Sequence, residues 1–358
     1  MKRPVIVLTG GGTAGHVSVN QALIPEFLGK GYEVHYIGSH DGIESELIGK
    51  GHPEVVYHSI QSGKLRRYFS MKNFTDPFRV GAGTLQALSI IRKLKPEIIF
   101  SKGGFVSVPV VMAAKLAKVP VVIHESDVTP GLANKLALPF SSQIFTVFEQ
   151  TLQYVPSGKS TCTGPIIRPE LFNGSREEGL RLARLTSERP IFIVMGGSQG
   201  SAVLNDAIRN ALPELLKKYQ IIHLCGKGNE DGQLKELPGY VQYEYVTTEL
   251  PHLLAAADYA ISRAGSNAIF ELLAIHKPML LVPLAASKSR GDQILNASYF
   301  ASKGLALQVE EEHLADIPME KHFRNLEKEK ARLLSNIENT TEPKTPGKMA
   351  EMILSFQK

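Results

Sequence analysis

Short apolar runs, each closed by glycine or a polar turn and followed by a helical pattern, recur along the 358-residue chain. In the first half, the runs at 5–9, 33–37, 54–60, 97–101, 121–124 and 143–148 predict strands. Between them, stretches such as 84–94 space apolar residues at helical intervals. The pattern restarts at 190–195, and further strands are predicted at 221–224, 241–246, 259–262, 279–282 and 306–309. Such alternation predicts parallel sheets covered by helices on both faces. The chain therefore reads as α/β, with two Rossmann-like, doubly wound domains in series.

Two prolines, a glycine and a loss of periodicity at 162–170 mark a linker, so the domains are expected at 1–163 and 164–341. A proline-rich break at 342–347 precedes a last helix within 342–358. Its Met349, Met352, Ile353 and Phe356 share one face, which predicts packing back onto the first domain. Hydrophobic residues at 43% and charged residues at 21% exclude a disordered or fibrous chain. Cys162 and Cys225 form no CxxC pair, which disfavours a disulfide framework or zinc site and points to a reducing compartment. The apolar run behind the basic N-terminus is shorter than a signal-peptide core, and no stretch approaches the ~20 apolar residues of a bilayer span. The expected location is cytoplasmic.

The chemistry concentrates where strands run into glycines. TGGGTAGHV at 9–17 formally matches the GxGxxG dinucleotide fingerprint through Gly10, Gly12 and Gly15, yet the second strand ends in Gly38-Ser39 where that motif needs an acid. Exposed loop amides at a helix start suit anions more broadly, and a diphosphate is the natural ligand. GGSQGS at 196–201 repeats the logic, with the Ser198 hydroxyl beside the loop amides. Two such cradles facing one interdomain cleft predict two phosphorylated substrates. SRAGSNAIFELL at 262–273 is a further strand, turn and helix, and Glu271 is placed to accept bonds from two ribose hydroxyls. GKS at 158–160 lacks the spacing of a P-loop and reads as a solvated turn.

Sugar transfer from a nucleoside diphosphate expels a stable leaving group that needs charge stabilisation, while the attacking hydroxyl needs a base. His16, at a helix start whose potential favours the neutral ring, is the candidate base. The chain has no Asp-x-Asp and no His/Asp cluster with metal-ligand spacing. The diphosphate is therefore expected to be met by loop amides and Arg168, with neither metal nor cofactor.

Together these motifs, with SKGGFVSVPVVMAA at 101–114, HESDVTPGLANK at 124–135, GPIIR at 164–168 and DQILNA at 292–297, resemble the GT-B glycosyltransferases. Within them the chain is most similar to the MurG family, and the similarity runs over nearly its whole length. The resemblance implies inverting transfer of GlcNAc from UDP-GlcNAc to the C4 hydroxyl of a lipid-linked muramoyl pentapeptide, the lipid I to lipid II step of peptidoglycan synthesis. It implies a donor site in the second domain. Arg168, Ser198 and Gln199 would lie near the diphosphate, Val246 at the uracil and Glu271 on the ribose, with Ser266, Asn267, Ala268 and Gln293 near the sugar. Thr13, Ala14, Gly15, Glu125 and Asn134 would line the acceptor side, with His16 the base.

Segment 64–80, KLRRYFSMKNFTDPFRV, interleaves Lys64, Arg66, Arg67, Lys72 and Arg79 with Tyr68, Phe69, Met71, Phe74 and Phe78. Basic residues near an anionic leaflet contribute about 1 kcal/mol each, so reversible attachment to the cytoplasmic membrane face is expected. No nucleic-acid module accompanies the segment. Competing readings are a nicotinamide oxidoreductase, which leaves the second glycine loop unexplained, a UDP-GlcNAc 2-epimerase, and a silent UDP-sugar sensor in which His16 is dispensable.

Overall fold

The computed structural model describes residues 3–63, 72–197, 199–287, 291–340 and 345–357, without the side chains of Ala14 and residues 72–75. Packing divides the chain into two units, Met1–Arg168 with Pro343–Lys358, and Pro169–Glu342.

The first unit is built on seven parallel strands: β1 (Val5–Thr9), β2 (Glu33–Ser39), β3 (Val56–Ile60), β4 (Ile98–Ser101), β5 (Val121–Glu125), β6 (Gln143–Thr146) and β7 (Ser160–Cys162). They lie in the order β3-β2-β1-β4-β5-β6-β7. The crossovers carry α1 (Ala14–Gly29), α2 (Ile43–Leu47), α3 (Lys72–Leu94), α4 (Ser107–Leu116) and α5 (Leu132–Ala137). Every residue of β1 is buried, as a parallel strand covered on both faces requires. Alternate side chains serve opposite layers: Ile6 and Leu8 pack with Leu23 and Phe27 of α1, while Val7 packs with Val110 and Val111 of α4.

The second unit has six parallel strands, β8 (Ile191–Met195), β9 (Gln220–Leu224), β10 (Tyr240–Tyr243), β11 (Tyr259–Ser262), β12 (Met279–Leu281) and β13 (Leu307–Gln308). Their order is β10-β9-β8-β11-β12-β13. Its helices are α6 (Arg176–Ala183), α7 (Ala202–Leu215), α8 (Leu250–Ala256), α9 (Ser266–Ala274), α10 (Asp292–Ser302) and α11 (Met319–Glu338). Phe192 stacks on Phe323 of α11 at 4.1 Å and on Tyr259 at 4.6 Å between centroids, giving this unit an aromatic centre. The chain ends in α12 (Pro346–Leu354), which packs on α1 in the first unit, with Met349 and Ile353 fully buried.

Both units are the predicted doubly wound α/β sheets. The segment at 158–160 begins as the expected turn, at Ser157–Lys159, and its last residue opens β7, an edge strand three residues long. Two strand expectations fail. The strand expected over 241–246 stops at Tyr243 and leaves Val246 in the following loop. The run at 143–148 pairs only to Thr146.

Candidate functional site

In each sheet the strand order reverses next to a glycine loop, between β1 and β4 in the first unit and between β8 and β11 in the second. These switch points are where loops at the carboxyl ends of parallel strands splay apart and leave a crevice. Most of the sequence-predicted residues lie on loops and helix starts beside them, whereas Val246 follows the edge strand β10 and Arg168 ends the first unit.

In the first unit, Thr13 caps α1 and its Oγ1 accepts the N–H of His16 at 3.3 Å. Gly15 and His16 follow in the first turn. His16 Nδ1 lies 2.9 Å from the carbonyl oxygen of Gly11. A carbonyl only accepts, so Nδ1 carries the hydrogen and Nε2 is the basic nitrogen of the neutral ring. The loop floor is Tyr36, whose hydroxyl donates to the Gly10 carbonyl at 2.7 Å and accepts from Asn20 at 3.1 Å.

Across the switch point, the loop after β4 presses against the glycines. Gly11 N–H donates to the carbonyl of Gly103 at 3.2 Å. Gly104 sits at φ +86°, and a Cβ there would lie 2.2 Å from the Gly11 oxygen. Glu125, at the end of β5, is 4% exposed and accepts from Asn134 Nδ2 at 2.9 Å and from the N–H groups of Gly131 and Asp127 at 2.8 and 3.0 Å. Burial, and then the charge of Asp127, raise its pKa despite these donors. The structure thus brings Glu125 and Asn134 into direct contact.

Beneath them Lys102 is 1% exposed, and its Nζ donates to Ser126 Oγ at 2.8 Å. Burial pulls its pKa down, against the opposing pull of Glu125 and Asp127. His124 beside it is held well below the usual imidazole range by burial, then by Lys102 and His16. Neither residue stood out from the sequence. A lysine in an SKGG turn looks solvent-facing until the fold places it under a carboxylate.

One expectation needs correction. The amides of Gly11 and Gly12 do not face outward for a diphosphate. The first is given to Gly103 and the second to the carboxylate of Glu44, at 3.1 Å. Glu44 comes from the helix after β2 and is turned inward, with its oxygens on Gly12 and Ser39.

In the second unit, Ser198 lies outside the described residues. Gly197 and Gly200 have φ of +86° and +74°, and a Cβ on Gly200 would lie 2.0 Å from the Cys225 carbonyl oxygen. The loop leads into α7, capped by Ser201, whose Oγ accepts the N–H of Leu204 at 3.2 Å. A cavity of about 390 Å³ opens here, lined by Gly196, Gly197, Gly200 and Ser201 on one side and by Arg263, Gly265 and Ala268 on the other. Gln293 also lines it and is held by accepting the Leu284 N–H at 3.0 Å. Ser266 is buried at the start of α9, with Asn267 beside it and the half-buried Glu271 one turn further on. Gln199 is exposed on the loop. Arg168 closes the first unit.

Arg263 is a cavity-lining residue that sequence reasoning passed over. It is 9% exposed at the cavity wall. Nη2 donates to Ser201 Oγ at 2.5 Å, Nη1 donates to the carbonyls of Val282 and Pro283 at 3.1 and 3.2 Å, and Nη1 lies 3.0 Å from Glu311 Oε2. Glu311 itself lines the cavity. Among the described residues no group of His, Cys, Asp or Glu is arranged to hold a metal ion, and no helix is long and apolar enough to cross a membrane.

Two doubly wound parallel-sheet units, each with a glycine loop at its switch point, form the GT-B architecture. The chain belongs to glycosyltransferase family 28: the N-terminal domain model of that family matches residues 6–146 and the C-terminal domain model residues 191–350. It is 49% identical, over the full length of both chains, to the UDP-N-acetylglucosamine--N-acetylmuramyl-(pentapeptide) pyrophosphoryl-undecaprenol N-acetylglucosamine transferase of Clostridium novyi. A protein of the same name from Oceanobacillus iheyensis is 54% identical over 90% of each chain. Among solved structures, Acinetobacter baumannii MurG superimposes with a TM-score of 0.74 at 20% identity, covering 99% of this chain and all of that one. UDP-GlcNAc 2-epimerase from Neisseria meningitidis gives 0.65 at 13% identity over 98% of each. These two likenesses concern the fold alone.

Proposed function

We infer that this chain transfers N-acetylglucosamine from UDP-GlcNAc to the C4 hydroxyl of the muramoyl sugar in undecaprenyl-diphospho-MurNAc-pentapeptide, converting lipid I to lipid II. The observation that carries this reading is the sustained identity of about one residue in two, across both units, with relatives named for that reaction.

The second unit is the donor side. Its loop amides, the N-terminus of α7 and Ser198 receive the UDP diphosphate, for which a helix start and glycine amides are suited, with Arg168 a further cation for it. Glu271 takes the ribose hydroxyls, the Val246 backbone the uracil, and Gln199, Ser266, Asn267, Ala268 and Gln293 surround the diphosphate and sugar. The first unit is the acceptor side, with Thr13, Ala14, Gly15, Glu125 and Asn134 at the muramoyl sugar. In the reaction, the C4 hydroxyl oxygen bonds to the anomeric carbon as the carbon–oxygen bond to the diphosphate breaks. The hydroxyl proton passes to His16 Nε2, and the electron pair leaves with UDP. Glu125 and Asn134, in direct contact with each other, are placed to hold sugar hydroxyls beside His16.

The enzyme acts at a membrane surface. On α3, Phe78 is 81% exposed and Leu85 68%, with Arg79 exposed beside them. Residues 64–71 of the basic aromatic segment lie outside the described residues. An apolar ridge with flanking cations fits a peripheral attachment to anionic lipid on the cytoplasmic face.

Radiolabel transfer from UDP-GlcNAc to a lipid-linked muramoyl acceptor tests the assignment, with EDTA in a parallel reaction. Label in the lipid fraction in both tubes is the expected result. Conversion of UDP-GlcNAc to its 2-epimer without acceptor would replace this reading by the epimerase one.

A further inference from the structure

The first glycine loop already holds an anion, and that anion is part of the chain. Glu44, the second residue of α2, is 1% exposed. Its Oε2 accepts the Gly12 N–H at 3.1 Å, while Oε1 accepts the Ser39 N–H at 3.1 Å and the Ser39 hydroxyl at 2.5 Å. A Cβ on Gly11 would lie 2.3 Å from the carboxyl carbon, and one on Gly42 2.2 Å from Oε1. The chain is therefore cleared of side chains on two sides of this one carboxylate.

The N–H of Gly12 and the C=O of Gly11 are opposite ends of a single planar peptide. The nitrogen end donates to Glu44, and the oxygen end accepts from His16 Nδ1 at 2.9 Å. Glycine flanks this peptide on both sides, with Gly12 at φ +87°, so the backbone alone gives it little reason to keep one orientation. The carboxylate supplies that reason. It also polarises the peptide it binds, because hydrogen bonds arranged in a chain strengthen one another in a low-dielectric site.

We propose that Glu44 is a positioning residue for His16, acting through the Gly11–Gly12 peptide plane to hold the ring as its Nδ1–H tautomer. A carboxylate orienting a histidine is a recurrent device at catalytic sites; here one peptide is interposed between the two. The catalytic consequence rests on the reading of His16 as the base, whereas the control of the tautomer stands on the geometry alone.

The test is long-range ¹H–¹⁵N NMR of the full-length chain labelled at histidine nitrogen, with the His16 signals assigned by their loss in His16→Asn. The wild type is expected to show Nδ1 protonated and Nε2 unprotonated. In Glu44→Gln, only one of the two carboxyl positions remains an acceptor and the other becomes a donor facing N–H groups, so a mixture of tautomers is expected. In Glu44→Asp, one methylene shorter, a partial change is expected, and this variant serves if the first does not fold. Loss of alignment lowers kcat by about 10- to 100-fold, as a displacement near 1 Å does, with the KM for UDP-GlcNAc within about twofold of wild type. A folded variant with the wild-type tautomer overturns the proposal. If the tautomer shifts but His16→Asn keeps full turnover, the base assignment fails while the role of Glu44 stands.

Discussion

Replacing Arg263 by methionine removes a guanidinium that ties together three parts of the second unit. It contacts the cap of α7 through Ser201, the loop after β12 through two carbonyls, and Glu311. The two charged side chains are 10% and 4% exposed, so solvent screens them little. Methionine fills much of the volume but donates no hydrogen bond, so the contacts of Arg263 to Ser201, Val282, Pro283 and Glu311 are lost together. Breaking a buried pair from one side costs about 3–5 kcal/mol. For a unit of this size, each kcal/mol moves the melting temperature by about 2–4 °C, so a fall of roughly 6–20 °C is expected. Scanning calorimetry of the full chain reads it. A second variant, Arg263→Met with Glu311→Leu, removes both charges and is expected to recover most of the loss, as apolar replacement of whole buried pairs often does. A single variant that melts within 2 °C of wild type, or a double variant no more stable than the single, would show that this pair does not brace the cavity.

Further outcomes follow from the same structure. His16→Asn is expected to lower kcat by about 10²- to 10⁴-fold while equilibrium dialysis finds UDP-GlcNAc binding intact; unchanged turnover refutes the base assignment. His223 accepts from Tyr240 at 2.7 Å and donates to Asn205 at 3.0 Å, and burial, with Arg209, lowers its pKa to about 3. The unfolded chain therefore binds this proton first, and stability is lost below about pH 6.5 at up to about 1.4 kcal/mol per pH unit. Denaturant titrations at pH 7 and pH 5 should show that slope, and His223→Gln should flatten it. Gly104→Ala is expected to destabilise the first unit by more than ~1 kcal/mol through its left-handed backbone alone and to weaken acceptor use, leaving UDP binding unchanged by calorimetric titration. Serine at Phe69, Phe74 and Phe78 should reduce sedimentation with anionic liposomes while transfer to a short-chain soluble acceptor persists; undiminished sedimentation removes the membrane role of this segment.

The architecture was legible because it depends on local signals. A run such as Val5-Ile6-Val7-Leu8 before four glycines can only be a buried strand entering a tight turn, and the repetition at 191–201 announces a second sheet. The candidate residues stood out where a helix opens just after such a turn, as His16 in α1 and Ser266 in α9 do. What escaped depends on distant partners. Glu44 lies in a five-residue helix with other acids around it, and nothing local tells which of them turns inward. Lys102 and Arg263 stand within motifs singled out from the sequence, yet a cation next to a glycine turn looks solvated until Glu125 or Glu311 arrives from elsewhere in the chain. Strand β7 escaped for another reason: three half-exposed residues at a sheet edge carry too little apolar content to register.

The closing helix has a consequence for how the polypeptide is made. Met349, Ala350 and Ile353 are fully buried against α1 and the first sheet, so part of the interior of the first unit is supplied only after the whole second unit has been synthesised. A ribosome that has released residues 1–168 has delivered a body with an open seam, and Lys30 and Tyr32 wait there for Glu351 and Gln357. The half that emerges first is the half finished last. Splitting the gene at the linker would therefore leave the N-terminal fragment without α12, which must be grafted back before the first unit can close.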